Sequence, residues 1–424
     1  MNRGVLFMTI FHPDEDKGNQ YRELWTKYVG RGQQTYTPSQ IVVDKAQGAY
    51  LWTLDGRKLT DFTSGVLVSN LGYAHPKFET KFKEYYKQLP RNTYNMISPV
   101  QVEASKRLIE SFGYSKAQKI LWAASGSEGI QKAMWSALHR YPERNIIVAT
   151  RHGFHGKKGL AADVTGDTSP NPNVRWISFP MGEGYEQDFY EKELNQLWDN
   201  HKGKIALLIT EPYLGAKGSY HPPKWYHQLL QHWCNEHDIP FIFDEVQSCF
   251  GRTGNMYAFQ TYGVEPDLVV LGKGMASGEP ASAVVGREDL IEALDYGEAS
   301  DTFSGGSSAC CAVCATMDVF EEDKIVEHVK KTQGKLKDIL MKLKQEFPFI
   351  MDVRGEGFVY GVDCVSLEIA NKCVLEAYYG TGKEGVHFLG PLAKKVIRIS
   401  PPLIITEKEL DHAYQLLISA WRRI

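Results

Sequence analysis

Hydrophobic and polar positions change their period along this chain. From about residue 119 onward, short apolar runs alternate with amphipathic stretches. The runs are "KILWA", "NIIVA", "VRWISF", "IALLIT", "PFIFD", "LVVL" and "SAVV". They are short and mostly aliphatic or aromatic, as strands buried on both faces are. Between them, stretches such as "YHQLLQHWCNEHD" carry apolar residues at helical spacing. Seven runs joined by helical crossovers predict an α/β fold, a mostly parallel seven-stranded sheet covered on both sides.

The pattern differs at the two ends. Before residue 65 it is irregular, apart from "GAYLWTLDGRKLTDF", which reads as a hairpin turning at Asp55-Gly56. Near residue 310 the alternation stops. "SACCAVCATMDVF" has the small side chains of a packed helix, and "KIVEHVKKTQGKLKDILMKLKQEF" repeats its apolar residues at helical spacing. A glycine-rich strand region, "DVRGEGFVYGVDC", and a last helix after "PPLIIT" follow. These shifts divide the chain into an N-terminal segment (1–65), a large α/β domain (66–314) and a smaller α+β domain (315–424).

Composition narrows the function. The chain has 424 residues, 43% hydrophobic and 23% charged, ordinary values for a soluble globular protein of two or three domains. A net charge of -3 argues against an electrostatic nucleic-acid binder. No apolar run approaches a membrane span. The start, "MNRGVLFMTIFHPDEDKGNQ", turns acidic at once and lacks a small-residue cleavage site, so no signal peptide is expected. Seven cysteines with no second Cys/His cluster at zinc spacing point to a reduced, cytoplasmic protein without a metal site.

The candidate chemistry lies just past the strand ends, where open α/β sheets bind ligands. In "LVVLGKGMASGEP", Lys273 stands between Gly272 and Gly274 at the mouth of a buried strand. A lysine there usually reaches for water. The alternative is that the glycines clear space for a large ligand against the amine. After "KILWA", Ser125, Gly126 and Ser127 open a helix and present N–H groups suited to an anion, although either serine could simply cap the helix. After "NIIVA", Phe154 in "GFHG" is either a core plug or a platform for a flat ring. Asp244 ends the apolar run "PFIFD", a costly place for a carboxylate unless it meets a positive partner. A phosphate, a flat ring, a cationic ring nitrogen and an aldehyde meeting these four points together describe pyridoxal 5'-phosphate.

The chain resembles the class III (ω-type) aminotransferases of the fold-type I pyridoxal-phosphate family from about residue 35 to its end. It shows "DGRKLTDFTSG", "NLGYAHPK", "SGSEG", "GFHG", "EPYLGAKG", "FDEVQ", "LGKGMASGEP", "DTFSGG" and "VIRISPPL" in the family's order, with Asp244 and Lys273 29 residues apart. The resemblance implies that Lys273 is the Schiff-base lysine and proton shuttle. It pairs Asp244 with the pyridine nitrogen, sets Val246 under the ring, has Gln247 bond the ring hydroxyl and stacks Phe154 on the other face. Gly126 and Ser127, with Ser125 beside them, are to hold the phosphate, and Thr302 is to reach it from the partner subunit. That implies an obligate homodimer, with a tetramer as a further option, and an N-terminal segment packing against the small domain and the partner. Arg398 is the implied receptor for a substrate carboxylate.

Departures from the family pattern bear on the substrate. Relatives specialised for ornithine or 4-aminobutyrate carry a glutamate that masks the carboxylate-binding arginine; this chain has Ala216 there. The family's second substrate arginine is Lys157, and Val66 stands where some relatives place a tyrosine. These changes argue against ornithine and 4-aminobutyrate as donors. The expected function is transfer of an amino group from an amine or amino acid to a keto acid or aldehyde, by a ping-pong route. A racemase, aminomutase or decarboxylase on the same scaffold is the alternative, since the cofactor motifs cannot separate them. A non-catalytic binding protein would have no need of a reactive lysine.

Overall fold

The computed structural model describes residues 10–182, 184 and 186–424. The first nine residues, on which the signal-peptide reading partly rests, lie outside that range. The strands are β1 (Val43–Gln47), β2 (Tyr50–Thr53), β3 (Lys58–Asp61), β4 (Lys119–Ala123), β5 (Ile146–Thr150), β6 (Val174–Ile177) and β7 (Ile205–Thr210). They continue with β8 (Phe241–Asp244), β9 (Leu268–Leu271), β10 (Ser282–Gly286), β11 (Ile350–Glu356), β12 (Val359–Cys364), β13 (Glu384–His387) and β14 (Val396–Ile399). All seven apolar runs become strands of one sheet, in the order β4-β10-β9-β8-β7-β5-β6. Only β10 runs against its neighbours β4 and β9; the other pairs are parallel.

The central strands are buried along their whole length, which is why they read as unbroken apolar runs rather than alternating ones. Their side chains still divide by the two-residue period of a strand. Ile147, Leu207, Ile209 and Ile242 pack with Ile130, Ala133 and Met134 of the helix Gly126–Arg140. Val148, Leu208, Phe241 and Phe243 belong to the other core, with Tyr226 and Leu230 of the helix Lys224–Glu236.

The ends of the chain meet in a way that no local pattern announces. The predicted hairpin forms with Gly56 at φ 81, and β3 then pairs in parallel with β13, more than 300 residues away. The four-stranded sheet β1-β2-β3-β13 therefore joins the N-terminal segment to the C-terminal part. A third sheet, β11-β12-β14, sets Arg398 opposite Gly361.

Arg252 locks these parts together. It is fully buried and donates to the carbonyls of Phe358 (3.2 Å) and Pro401 (2.7 Å), to Ser64 Oγ (3.3 Å) and to Asn70 Oδ1. These acceptors are all neutral, and burial lowers the guanidinium pKa to about 10. Asn70 also donates to the Phe250 carbonyl at 2.7 Å. Asn70→Leu should therefore leave a buried charge and a buried carbonyl each short of a partner, at a cost of about 3 kcal/mol. The urea midpoint checks this, and an unchanged midpoint would show that the junction does not depend on Asn70.

Candidate active site

The strands β4, β5, β7, β8 and β9 run in one direction, so the loops at their carboxyl ends converge on one edge of the sheet. A cavity of about 360 Å³ lies there, walled by Ser125, Gly126, Ser127, Phe154, His155, Glu211, Ala216, Asp244, Val246, Gln247 and Lys273 among others. Five loops separated by up to 150 residues of chain thus supply one pocket.

Lys273 opens a single 3₁₀ turn, Lys273–Ala276, after β9. Its φ of 42° is left-handed, a conformation that costs a residue other than glycine roughly 1–3 kcal/mol. Burial pushes the ammonium below its ordinary pKa, while Asp244 pulls the other way. The neutral amine that this favours is the nucleophilic form. The flanking glycines do not clear space in the way the sequence suggests. A Cβ on Gly272 would press on Val246 Cγ1 at 3.1 Å, and one on Gly274 would collide with the Asn70 amide. Their bareness admits Val246 and Asn70, and Val246 in turn forms part of the cavity wall.

Asp244 is 5% exposed, and its partner comes from another loop. His155 Nδ1 lies 2.7 Å from Oδ2, and the Val246 N–H donates to Oδ1 at 3.0 Å. Each carboxylate oxygen keeps a lone pair for a further donor in the cavity. His155 is the residue that sequence reasoning missed; its signal was the histidine in "GFHG", one strand away from Asp244. Glu211 was also overlooked. It is buried at the end of β7 and accepts the Phe154 N–H at 2.9 Å. Burial pushes its carboxyl up to about 7, with His155 drawing it down and Asp244 pushing it further up.

Gln247 Oε1 is buried in the wall with no hydrogen-bond partner, and a Cβ on Gly215 would collide with it. Ser125 does cap its helix: its hydroxyl accepts the Glu128 N–H, and Glu128 returns the bond to the Ser125 N–H at 3.2 Å. That engages the Ser125 side chain and leaves the first turn, at Gly126 and Ser127, facing the cavity.

Four residues singled out from the sequence stand apart from this wall. Thr302 is exposed on the surface of its own chain. Lys157 is also exposed, and Val66 is 39% exposed in a kink at φ 66°; Val68 lines the cavity instead. Arg398 is 5% exposed, forms no ion pair among the described residues and has a buried, unpartnered Nε. Burial lowers its pKa to about 10, while Tyr213 and Glu211 hold it up.

Residues 31–421 match the family model described as aminotransferase class-III. The chain belongs to the class III aminotransferases. It is 31% identical to an acetylornithine aminotransferase of Methanothermobacter thermautotrophicus, over 93% of this chain and 96% of that one. It is 28% identical to a probable 4-aminobutyrate aminotransferase of Bacillus subtilis, covering 95% and 97% of the two chains. In fold it is similar to an amine transaminase from an uncultivated Pseudomonas species, solved in its PLP-bound form. That match has a TM-score of 0.84 and 23% identity, over 94% of this chain and 98% of the other.

This aminotransferase therefore uses pyridoxal 5'-phosphate to move amino groups. Its cavity suits that group. Gln247 Oε1 lacks a partner, Asp244 has unused lone pairs and a helix opens toward the same space. Among the described residues no cluster of metal-ligating side chains occurs and no helix is long and apolar enough to cross a membrane.

A carboxyl raised to about 7 has a definite linkage sign. In the cofactor-free enzyme, Glu211 contributes full stability below its ordinary value near 4.5 and loses it as pH rises through 7. The difference amounts to about 3 kcal/mol for a fully buried group. Glu211→Gln should remove that loss, so its urea midpoint should gain on the wild type between pH 5 and pH 8. A constant difference between the two proteins would show that Glu211 titrates normally.

Proposed function

We propose that Lys273 is the residue that holds the cofactor and moves protons in this aminotransferase, with the cavity around it dividing the remaining tasks. The observation that carries this is the juxtaposition in one cavity of a half-buried amine, its pKa lowered by desolvation, with a buried carboxylate, Asp244. Pyridoxal phosphate, when bound, takes up the electrons released as the amine-bearing carbon loses a proton. Lys273 Nζ would serve as the base and acid that takes and returns a proton beside the bound group. Asp244, oriented by His155 and the Val246 N–H, keeps a proton on the ring nitrogen. Gln247 would bond the ring hydroxyl, Val246 and Phe154 would lie against the ring, and Gly126 and Ser127 would hold the phosphate at the first turn of their helix.

Arg398 reads the carboxylate of a keto-acid acceptor such as pyruvate or 2-oxoglutarate. A buried guanidinium without an ion pair has an unmet demand, and a carboxylate matches its planar fork. Ala216 in the wall offers no carboxylate to mask the arginine, so a donor lacking a carboxylate nearby leaves that demand unmet. This disfavours ornithine and 4-aminobutyrate as donors. Thr302, exposed on its own chain, serves the phosphate of a partner subunit, which makes the working unit a homodimer. Exposed Ile97 and Phe303, 89% and 71% accessible, suit burial in such an assembly. All seven cysteines are free and buried, in keeping with a cytoplasmic enzyme.

Borohydride should fix the cofactor covalently to the peptide containing Lys273, as mass spectrometry can show. Lys273→Ala should retain cofactor and lose turnover by several orders of magnitude. A labelled peptide from elsewhere would overturn the assignment.

Acceptors can be ranked by adding keto acids and aldehydes to the amine-loaded enzyme and recording which restore the resting spectrum. Arg398→Lys should raise the KM of a keto-acid acceptor roughly 10-fold or more, because one ammonium cannot reproduce two parallel hydrogen bonds. It should affect a carboxylate-free amine far less. Equal losses in both half-reactions would mean that Arg398 supports the fold instead.

A further inference from the structure

Lys132 is a buried lysine outside the cavity that no step described above uses. It lies on the helix Gly126–Arg140, six residues past the glycine that opens it, and is 3% exposed. An ammonium in such a place is costly unless all its donors are met. Here they are. Nζ donates to the Trp122 carbonyl at 2.6 Å and to Ser304 Oγ at 3.4 Å, and it pairs with Asp301. Ser304 Oγ also donates to Asp301 Oδ2 at 2.9 Å, which closes a small network around the loop.

The same loop is pressed against β4 at a second point. Gly305 has φ 64°, and a Cβ there would meet Trp122 Cγ at 2.7 Å. Residues 301–305 are thus fastened at both ends, to Trp122 of β4 and to Lys132 of the helix that follows it. Between the fastenings, Thr302 and Phe303 are left exposed. A loop whose frame is clamped while its middle residues point to solvent is arranged to present those residues to something else.

We propose that Lys132 is a positioning residue: by clamping Asp301 it holds the loop in the pose from which Thr302 reaches the cofactor phosphate of the partner subunit. This rests on the reading of Thr302 given above. One helix then serves both phosphate sites of the dimer. Its first turn cradles the phosphate of its own subunit, and Lys132 sets the loop that completes the other. Neither Lys132 nor Asp301 touches the cofactor; both act through Thr302.

The test compares Lys132→Met, Asp301→Asn, Thr302→Ala and the double variant Lys132→Met/Thr302→Ala. Cofactor dissociation constants are read from visible absorbance, and sedimentation reports the dimer. Each single variant should weaken cofactor binding about 10-fold, as the loss of one charge-assisted hydrogen bond does, with the dimer intact. In the cofactor-free dimer, amide exchange at residues 301–304 should quicken in Lys132→Met and Asp301→Asn. The double variant should bind no worse than Thr302→Ala alone, since all act through one hydroxyl; a general loss of stability would add instead. If Lys132→Met misfolds, Asp301→Asn carries the same comparison from the exposed side of the clamp. Undiminished cofactor affinity in Lys132→Met and Asp301→Asn, with Thr302→Ala weakened, overturns the positioning role. Unchanged affinity in Thr302→Ala overturns the reading of Thr302 beneath it.

Discussion

The 2.7 Å contact between His155 Nδ1 and Asp244 Oδ2 is the interaction on which the candidate site depends. Asp244 ends an entirely buried strand, where an isolated carboxylate would neutralise itself or unfold the strand end. His155 and the Val246 N–H together make the charge tolerable and fix its direction. Much else follows from keeping that carboxylate in place. β5 and β8 must lie in one sheet with β7 between them, so that a loop from the first can reach the end of the second. Glu211, at the end of that intervening β7, shares the same low-dielectric space. Burial there, with the Asp244 charge adding to it, pushes its carboxyl up to about 7.

The backbone around the site is shaped by close approach rather than by ligand volume. Gly272 and Gly274 flank Lys273 because Val246 and Asn70 occupy the space that side chains would need. Asn70 in turn holds Arg252, and Arg252 holds the chain near Phe358 and Pro401. The lysine at the end of β9 is therefore tied through three contacts to the sheet that carries Arg398. Strain at Lys273, with φ 42°, is sustained by this surrounding packing.

The seven strands of the large sheet were legible in the sequence as apolar runs, unbroken where the central strands are buried on both faces, but their order was not. The helix Ile325–Glu346 and the hairpin at Gly56 were legible for equally local reasons, helical period and turn chemistry. The parallel pairing of β3 with β13 was not, since four-residue strands so far apart carry no mark of their partner. At the site, Lys273 and Asp244 stood out because each is a charge at the end of an apolar run. His155 and Glu211 did not, because their significance lies in distances between loops. Ser125 shows the reverse case: its local signal as a helix cap was sound, and the cap is what the side chain does.

The buried and half-buried cations of this protein differ in how far protein groups meet their donors. Arg22 donates to Glu15 at 2.7 Å and to Asn19 and the Gln40 carbonyl as well. Arg252 is surrounded by four neutral acceptors, and Lys132 has three partners for three donors. Arg252 and Lys132 join segments distant in sequence, whereas Arg22 ties its helix to its own flanks; Arg252 keeps a buried, unpartnered Nε. Arg398 and Lys273 have no ion pair among the described residues, and burial lowers the pKa of both. A buried charge left short of partners costs stability that natural selection would otherwise remove by substitution. Under the proposed function, Arg398 and Lys273, both close enough to Glu211 to feel its charge, take their partners from outside the chain. A carboxylate for the arginine and a carbonyl carbon for the amine are what an aminotransferase brings to that place.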